Sequence, residues 1–183
     1  MATTLRSTIA AQLGWTWRDQ VGRSLIVDSN RIGFDKNLAD GAEADQADAV
    51  WHAEDQTLSA GQSTTLDLDA LQQSRFGDSI TIPMSKIKAI LIVNKNTVGD
   101  GHLVVGGAAV DEWYAPFGAS GDTVRVMPQS PLLLASSRDG WDVQPGTTAL
   151  KIAAAEGDVT YDVAILGTLV GGGGSSSSSS SSG

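Results

Sequence analysis

The 183-residue sequence contains no cysteine. Disulfides and thiolate metal sites are therefore excluded as sources of stability. The absence also fits a reducing cytoplasm. Histidine is almost missing: His52 and His102 stand alone, with no His-x-x-x-His spacing to bind a metal. Positive charge is scarce, with 12 Lys and Arg against 21 Asp and Glu and a net charge of −9. Phosphate repels such a chain, so no nucleic-acid partner is expected. The longest apolar run is far short of a membrane span, so no membrane partner is expected either. After Arg6 the first residues lack a continuous apolar stretch, which argues against a secretory signal.

Catalytic signatures are missing as well. Gly99-x-Gly101 lacks the third glycine and the helix needed to cradle phosphate. Residues 118–121 contain Ser120 but not the Gly-x-Ser-x-Gly elbow. The acidic loop at 40–48 lacks the order of acids and glycine that binds calcium. His52 with Glu54 and Asp55 offers a weak surface metal site. Asp67 and Asp69 share one strand face; paired carboxylates can do acid–base chemistry, but a solvated face is the commoner explanation. Together these negatives predict no enzyme, no cofactor and no metal.

What is present is β-pattern. Residues 86–109 read as the centre of the fold. Lys86 and Lys88 alternate with Ile87 and Ala89, and residues 90–93 are then continuously apolar. That change is expected of a strand entering a sandwich. Turn residues follow at 94–96 and 99–101, and residues 102–105 are expected to return as the partner strand of a hairpin. Further strands are expected at 63–69, 123–127, 150–154 and 159–167, and an apolar strand led by proline at 131–135. A turn is expected at Asp28-Ser29-Asn30, and a short helical turn at 71–76. Turn signals recur about every 8–12 residues, the spacing of a sandwich or barrel. The expected class is all-β: an antiparallel β-sandwich, with a jelly roll as one form of it.

The N-terminal segment has a pattern of its own. Leu5, Ile9, Ala11, Leu13, Trp15 and Trp17 share one parity, while Arg6, Thr8, Gln12, Thr16 and Arg18 share the other; Ser7 and Ala10 are the exceptions. A strand with one apolar face fits this; an amphipathic helix fits the four-residue spacing of Leu5, Ile9, Leu13 and Trp17. Strand is preferred, because Thr, Ile and Trp favour it and Gly14 weakens a helix. Extended, 13 residues span roughly 40 Å, long for a small domain. Two readings stay open, a bent edge strand or an arm that pairs with a neighbour. In both, the tryptophans carry apolar area that something must cover. The expected organisation is an arm or edge strands at 1–35, a sandwich domain at 36–170 and a Gly/Ser low-complexity tail at 171–183.

Charge is uneven. Residues 43–55 hold five acids and no Lys or Arg, and residues 85–95 hold three lysines and no acid. Solvated faces are the ordinary explanation; docking against a partner of opposite sign is the sharper one.

From Leu38 onward the chain resembles small β-rich structural proteins of tailed bacteriophages. The likeness lies in Leu38-Ala39-Asp40-Gly41, Ala44-Asp45-Gln46-Ala47-Asp48, Val50-Trp51, Thr65-Leu66-Asp67-Leu68 and Lys86-Ile87-Lys88-Ala89-Ile90. It continues through Val105-Gly106-Gly107-Ala108, Trp113, Pro116-Phe117-Gly118, Asp122-Thr123-Val124-Arg125-Val126, Leu132-Leu133-Leu134, Gly140-Trp141 and Thr160-Tyr161-Asp162-Val163. The resemblance implies a virion structural protein, assembled in the host cytoplasm. Its first form is a head decoration or cement protein, a homotrimer bound to the major capsid protein. Partner contacts are expected at Leu5, Ile9, Leu13, Trp15, Trp17, Lys86, Lys88, Trp113 and Phe117. The alternative is a tail or fibre component that binds other tail subunits, or host glycan through Trp51, Trp113 and Trp141. The Gly/Ser tail departs from the family.

Overall fold

A computed structural model describes residues 4–75 and 77–171. The regular elements are all strands. β1 (Ser7–Val21) and β2 (Ser24–Leu38) come first, then β3 (Ala49–Leu58), β4 (Ser63–Asp67), β5 (Leu71–Arg75) and β6 (Asp78–Ile82). β7 (Met84–Asn94), β8 (His102–Gly106), β9 (Thr123–Val126) and β10 (Pro131–Ala135) follow. β11 (Trp141–Asp142), β12 (Ala149–Ala155) and β13 (Val159–Leu169) close the chain. Every ladder between these strands is antiparallel.

Two sheets face each other. One has the order β10-β7-β13-β3, with β11 beside β7, and the other β4-β12-β8-β9. In chain order these strands cross between the sheets at each step except β8 to β9 and β10 to β11. The two orders together are those of a jelly roll. The antiparallel sandwich expected from the turn spacing is thus the fold.

The core lies between the sheets. It takes Ile87, Ile90 and Ile92 from β7, Leu103 and Val105 from β8, Leu150 and Ile152 from β12, and Val159, Tyr161, Val163 and Ile165 from β13. Alternation explains the choice, since period two puts every second side chain on one face. Thr64, Leu66 and Leu68 turn inward and Thr65, Asp67 and Asp69 outward, as the pattern predicts.

Three local expectations are corrected. Residues 86–109 do not form a hairpin. β7 pairs with β10, β11 and β13, while β8 pairs with β9 and β12 in the opposite sheet. The glycine-rich link at 95–101 is a crossover between sheets. Second, Asp28-Ser29-Asn30 is not a turn. The chain reverses at Gly22, whose φ of 62° glycine adopts without strain, and β2 runs unbroken through residues 28–30. Their polar side chains bond along or across the ladder: Trp15 Nε1 donates to Asp28 at 3.0 Å, and Ser29 meets Thr16 at 3.1 Å. Third, residues 71–75 are strand rather than helical turn, because they pair with β6. Phe76, the end of that expected turn, and residues 172–183 of the expected tail lie outside the described residues.

Among the described residues, the β1–β2 hairpin pairs with no other strand. Only its root is anchored. Ile9 and Leu38 are buried with Ala47 and Ala89, and Leu5, Leu133 and Leu166 pack around them. Ala89, Leu133 and Leu166 lie on the sheet face opposite the core, so the root sits outside the sandwich. Residues 10–35 are all exposed.

Candidate functional site

The hairpin is the surface with the least structural explanation of its own. Its register pairs Leu13 with Ile32, Ala11 with Phe34 and Trp17 with Asp28. Residues paired across an antiparallel ladder share a face. One face therefore carries Leu13, Trp15, Trp17 and Val21 of β1 with Ile26, Ile32 and Phe34 of β2. All seven are exposed, from 36% for Trp15 to 70% for Leu13. The other face is polar at Thr8, Gln12, Thr16, Arg18, Ser29 and Arg31, with Leu25 and Val27 exposed near the tip.

The expected contact residues divide on this geometry. Leu13, Trp15 and Trp17 are available on the hairpin face. Ile9 is used in the root, and Leu5 packs beside it. Lys86 is half-buried and paired with Asp142 at 2.5 Å. Lys88 is 1% exposed. It is the extra residue where the β7–β13 register shifts, and its ammonium donates to the carbonyls of Glu43 at 3.3 Å and Arg138 at 2.5 Å. Burial, and then the charge of Lys86, lower its pKa. Lys95, the third lysine of the basic stretch, is paired with Asp55 and Asp162. The basic strand face is thus largely spent within the chain.

Trp113 is 1% exposed. Its indole N–H donates to the Asp142 carbonyl at 2.9 Å, and its ring meets Trp141 edge-on at 6.2 Å. Trp51 is buried too, with its N–H on the Gln72 carbonyl at 2.8 Å. Neither ring can stack on a sugar or touch a partner. Phe117 packs half-buried against the core.

No protein-family model matches the chain, and no curated protein or solved structure matches it. The geometry has to carry the functional reading.

The polar clusters have structural roles. Glu112 was not singled out from the sequence, yet it organises the loop at 107–121. It accepts from the Gly107 N–H at 3.0 Å, the Ser120 hydroxyl at 2.6 Å and the Gly121 N–H at 2.9 Å. Those donors, Ser120 foremost, hold its pKa below the ordinary value. Ser120 is thereby engaged as a donor to the Glu112 carboxylate. Asp67 and Asp69 do meet: a hydrogen bond donated by the protonated Asp69 carboxyl to Asp67 is the main reason the Asp69 pKa is raised. Both are exposed. His52 is 3.7 Å from Glu54, while Asp55 is turned to Lys95. Among the described residues no three His, Asp or Glu side chains are grouped to hold a metal ion. His102 is 4% exposed, with Nδ1 at 3.3 Å from the Asp100 carbonyl.

Proposed function

We propose that this chain is a non-enzymatic virion structural protein, a capsid decoration or cement protein that binds and stabilises an assembled phage head as a homotrimer. The single observation that carries the reading is the projecting hairpin with its uncovered apolar face. A two-stranded hairpin alone is marginal in water, so its sequence is best explained by a surface that covers it. The jelly-roll body supports the reading by analogy only, since that architecture recurs in capsid and lectin domains. The net charge of −9 suits the outside of a shell, away from packaged DNA. Binding only the assembled lattice would stabilise it by mass action, about 2.7 kcal/mol at a concentration 100 times Kd.

Co-sedimentation with assembled heads, with unassembled capsid subunits as control, tests this. Binding to heads alone, with a raised thermal threshold for shell rupture, is the expected result. Labelling that places the chain on the tail, or on no part of the particle, refutes it.

One observation favours the glycan-binding alternative. Tyr114, Trp141, Asp142 and Gln144 line a shallow groove of about 360 Å³. Glycan-array binding that Trp141→Ala abolishes, with the fold intact, would select that reading.

A further inference from the structure

We propose that the apolar face of the β1–β2 hairpin docks on the outer sheet face of a second copy of this chain. The proposal rests on the reading above in one respect, that the protein works as an assembly of copies.

Area comes first. The seven exposed side chains present on the order of 750 Å² of apolar surface, at roughly 200 Å² per fully exposed large side chain. The largest apolar patch on a typical monomer is about 300–600 Å², and a standard interface takes about 800 Å² per partner. The hairpin face is therefore the size of one side of an interface.

The chain itself shows what this face fits. At the root, Ile9 belongs to the same apolar row and packs on Ala89, Leu133 and Leu166, on the sheet face away from the core. That sheet face continues past the root. Leu91 is 39% exposed, and Val50, Leu133 and Ala164 are half-buried. Together with Ile9 they line an open apolar groove of about 210 Å³. This is smaller than the ~300 Å³ at which small-molecule pockets begin. From Ile9 to Val21 the strand runs on for roughly 40 Å at ~3.3 Å per residue. Its own sheet does not cover that length, as the exposure of residues 10–35 shows.

Charge selects a copy of the body as the occupant. Residues 1–38 hold five Lys and Arg and three Asp, a net of +2. The remaining seven bases and 18 acids leave the body at −11. Arg18 and Arg31 lie on the hairpin's other face, so this charge acts at long range: it steers a cationic hairpin toward an anionic body and away from another hairpin. The contact is head-to-tail, and such contacts close into rings when the rotation permits. A ring of three is the closed form that a homotrimer would take.

The test uses the purified full chain. Trp17→Asp spoils the hairpin face and Leu91→Asp the sheet face. Both positions are exposed, so neither change buries a charge, and far-UV circular dichroism checks the fold. Leu13→Asp serves as a second hairpin variant. Sedimentation velocity up to about 100 μM should show the wild type associating and each variant at least tenfold weaker. An equimolar mixture of Trp17→Asp and Leu91→Asp should regain a 1:1 complex, because one copy keeps a sound hairpin and the other a sound sheet. A mixture that stays monomeric overturns the proposal. So does association that survives Leu91→Asp but not Trp17→Asp, which would mean hairpins packing on each other. A monomeric wild type overturns it too. If its Trp17→Asp variant then fails to co-sediment with heads, the hairpin belongs on the shell subunit, and the decoration reading stands without its homotrimer.

Discussion

Replacing Glu112 by Gln should loosen one loop of the sandwich by a predictable amount and with a predictable pH profile. The carboxylate holds three donors: Gly107 N–H, Ser120 O–H and Gly121 N–H. Gly107 and Gly121 sit at φ of 65° and 85°, so their N–H groups converge only because glycine accepts that backbone. Glutamine keeps the shape but loses the charge, and its amide turns a donor toward donors. A hydrogen bond to a charged group contributes about 1.5–3 kcal/mol, and water can replace part of that at a half-buried site. A net loss of about 2 kcal/mol follows, or a fall in Tm of about 4–8 °C for a chain of this size. The pH dependence fixes the cause. Ser120 and the two backbone donors lower the folded pKa of Glu112 below its ordinary 4.5. The stabilisation is therefore complete above pH 4.5 and disappears as pH falls through the folded value. Urea unfolding of both proteins at pH 7, 5, 4 and 3 should show a gap that is full at the first two and closes by the last. Equal stability at pH 7, or a gap that persists unchanged at pH 3, refutes the assignment.

Three other substitutions follow from the same structure. Asp69→Asn should raise Tm slightly at neutral pH, by the order of the 0–1 kcal/mol typical of surface charge pairs. The folded pKa of Asp69 lies above 3.8, so its ionisation costs stability as pH rises through the folded value; the gain should be absent at pH 3, and a gain there would exclude the mechanism. Trp113→Ala should cost about 3–5 kcal/mol in urea unfolding, because it empties a fully buried site and orphans the Asp142 carbonyl. Gly167→Ala should destabilise by about 2 kcal/mol or more, since its Cβ would strike the Lys86 carbonyl oxygen and sit 3.0 Å from Met84 Sδ. Thermal melts that leave Gly167→Ala within a degree of wild type would show that the bulge relaxes freely.

Strand positions were readable wherever one face was buried and the other wet. Val124 and Val126 turn in while Arg125 turns out, and Tyr161, Val163 and Ile165 share the buried face of β13. The same rule placed Leu13, Trp15 and Trp17 on one apolar row. It failed where polar residues had a structural use other than turning. Asp28 and Ser29 carry turn chemistry, but a strand partner was available to take their hydrogen bonds. Gly22 with Arg23 was the quieter signal and the true reversal. Lys88 looked like a solvated base because alternation assigns it outward. A register shift in β7 and β13 inserts it as an extra residue, and the loops at 39–48 and 136–140 close over it. Trp113 carried no sign of depth in its neighbours.

The order of residues alone determined that this chain makes strands, since alternation at period two is a local property that water enforces one side chain at a time. It also determined that the leading segment presents an apolar face. Tertiary structure decided which strands are neighbours. In a jelly roll, sequence-adjacent strands lie mostly in opposite sheets, so pairing is settled by how two distant apolar faces fill one core rather than by the turn between them. Only that packing shows the hairpin extending beyond its own sheet, because whether an apolar row is covered depends on what the rest of the chain places against it.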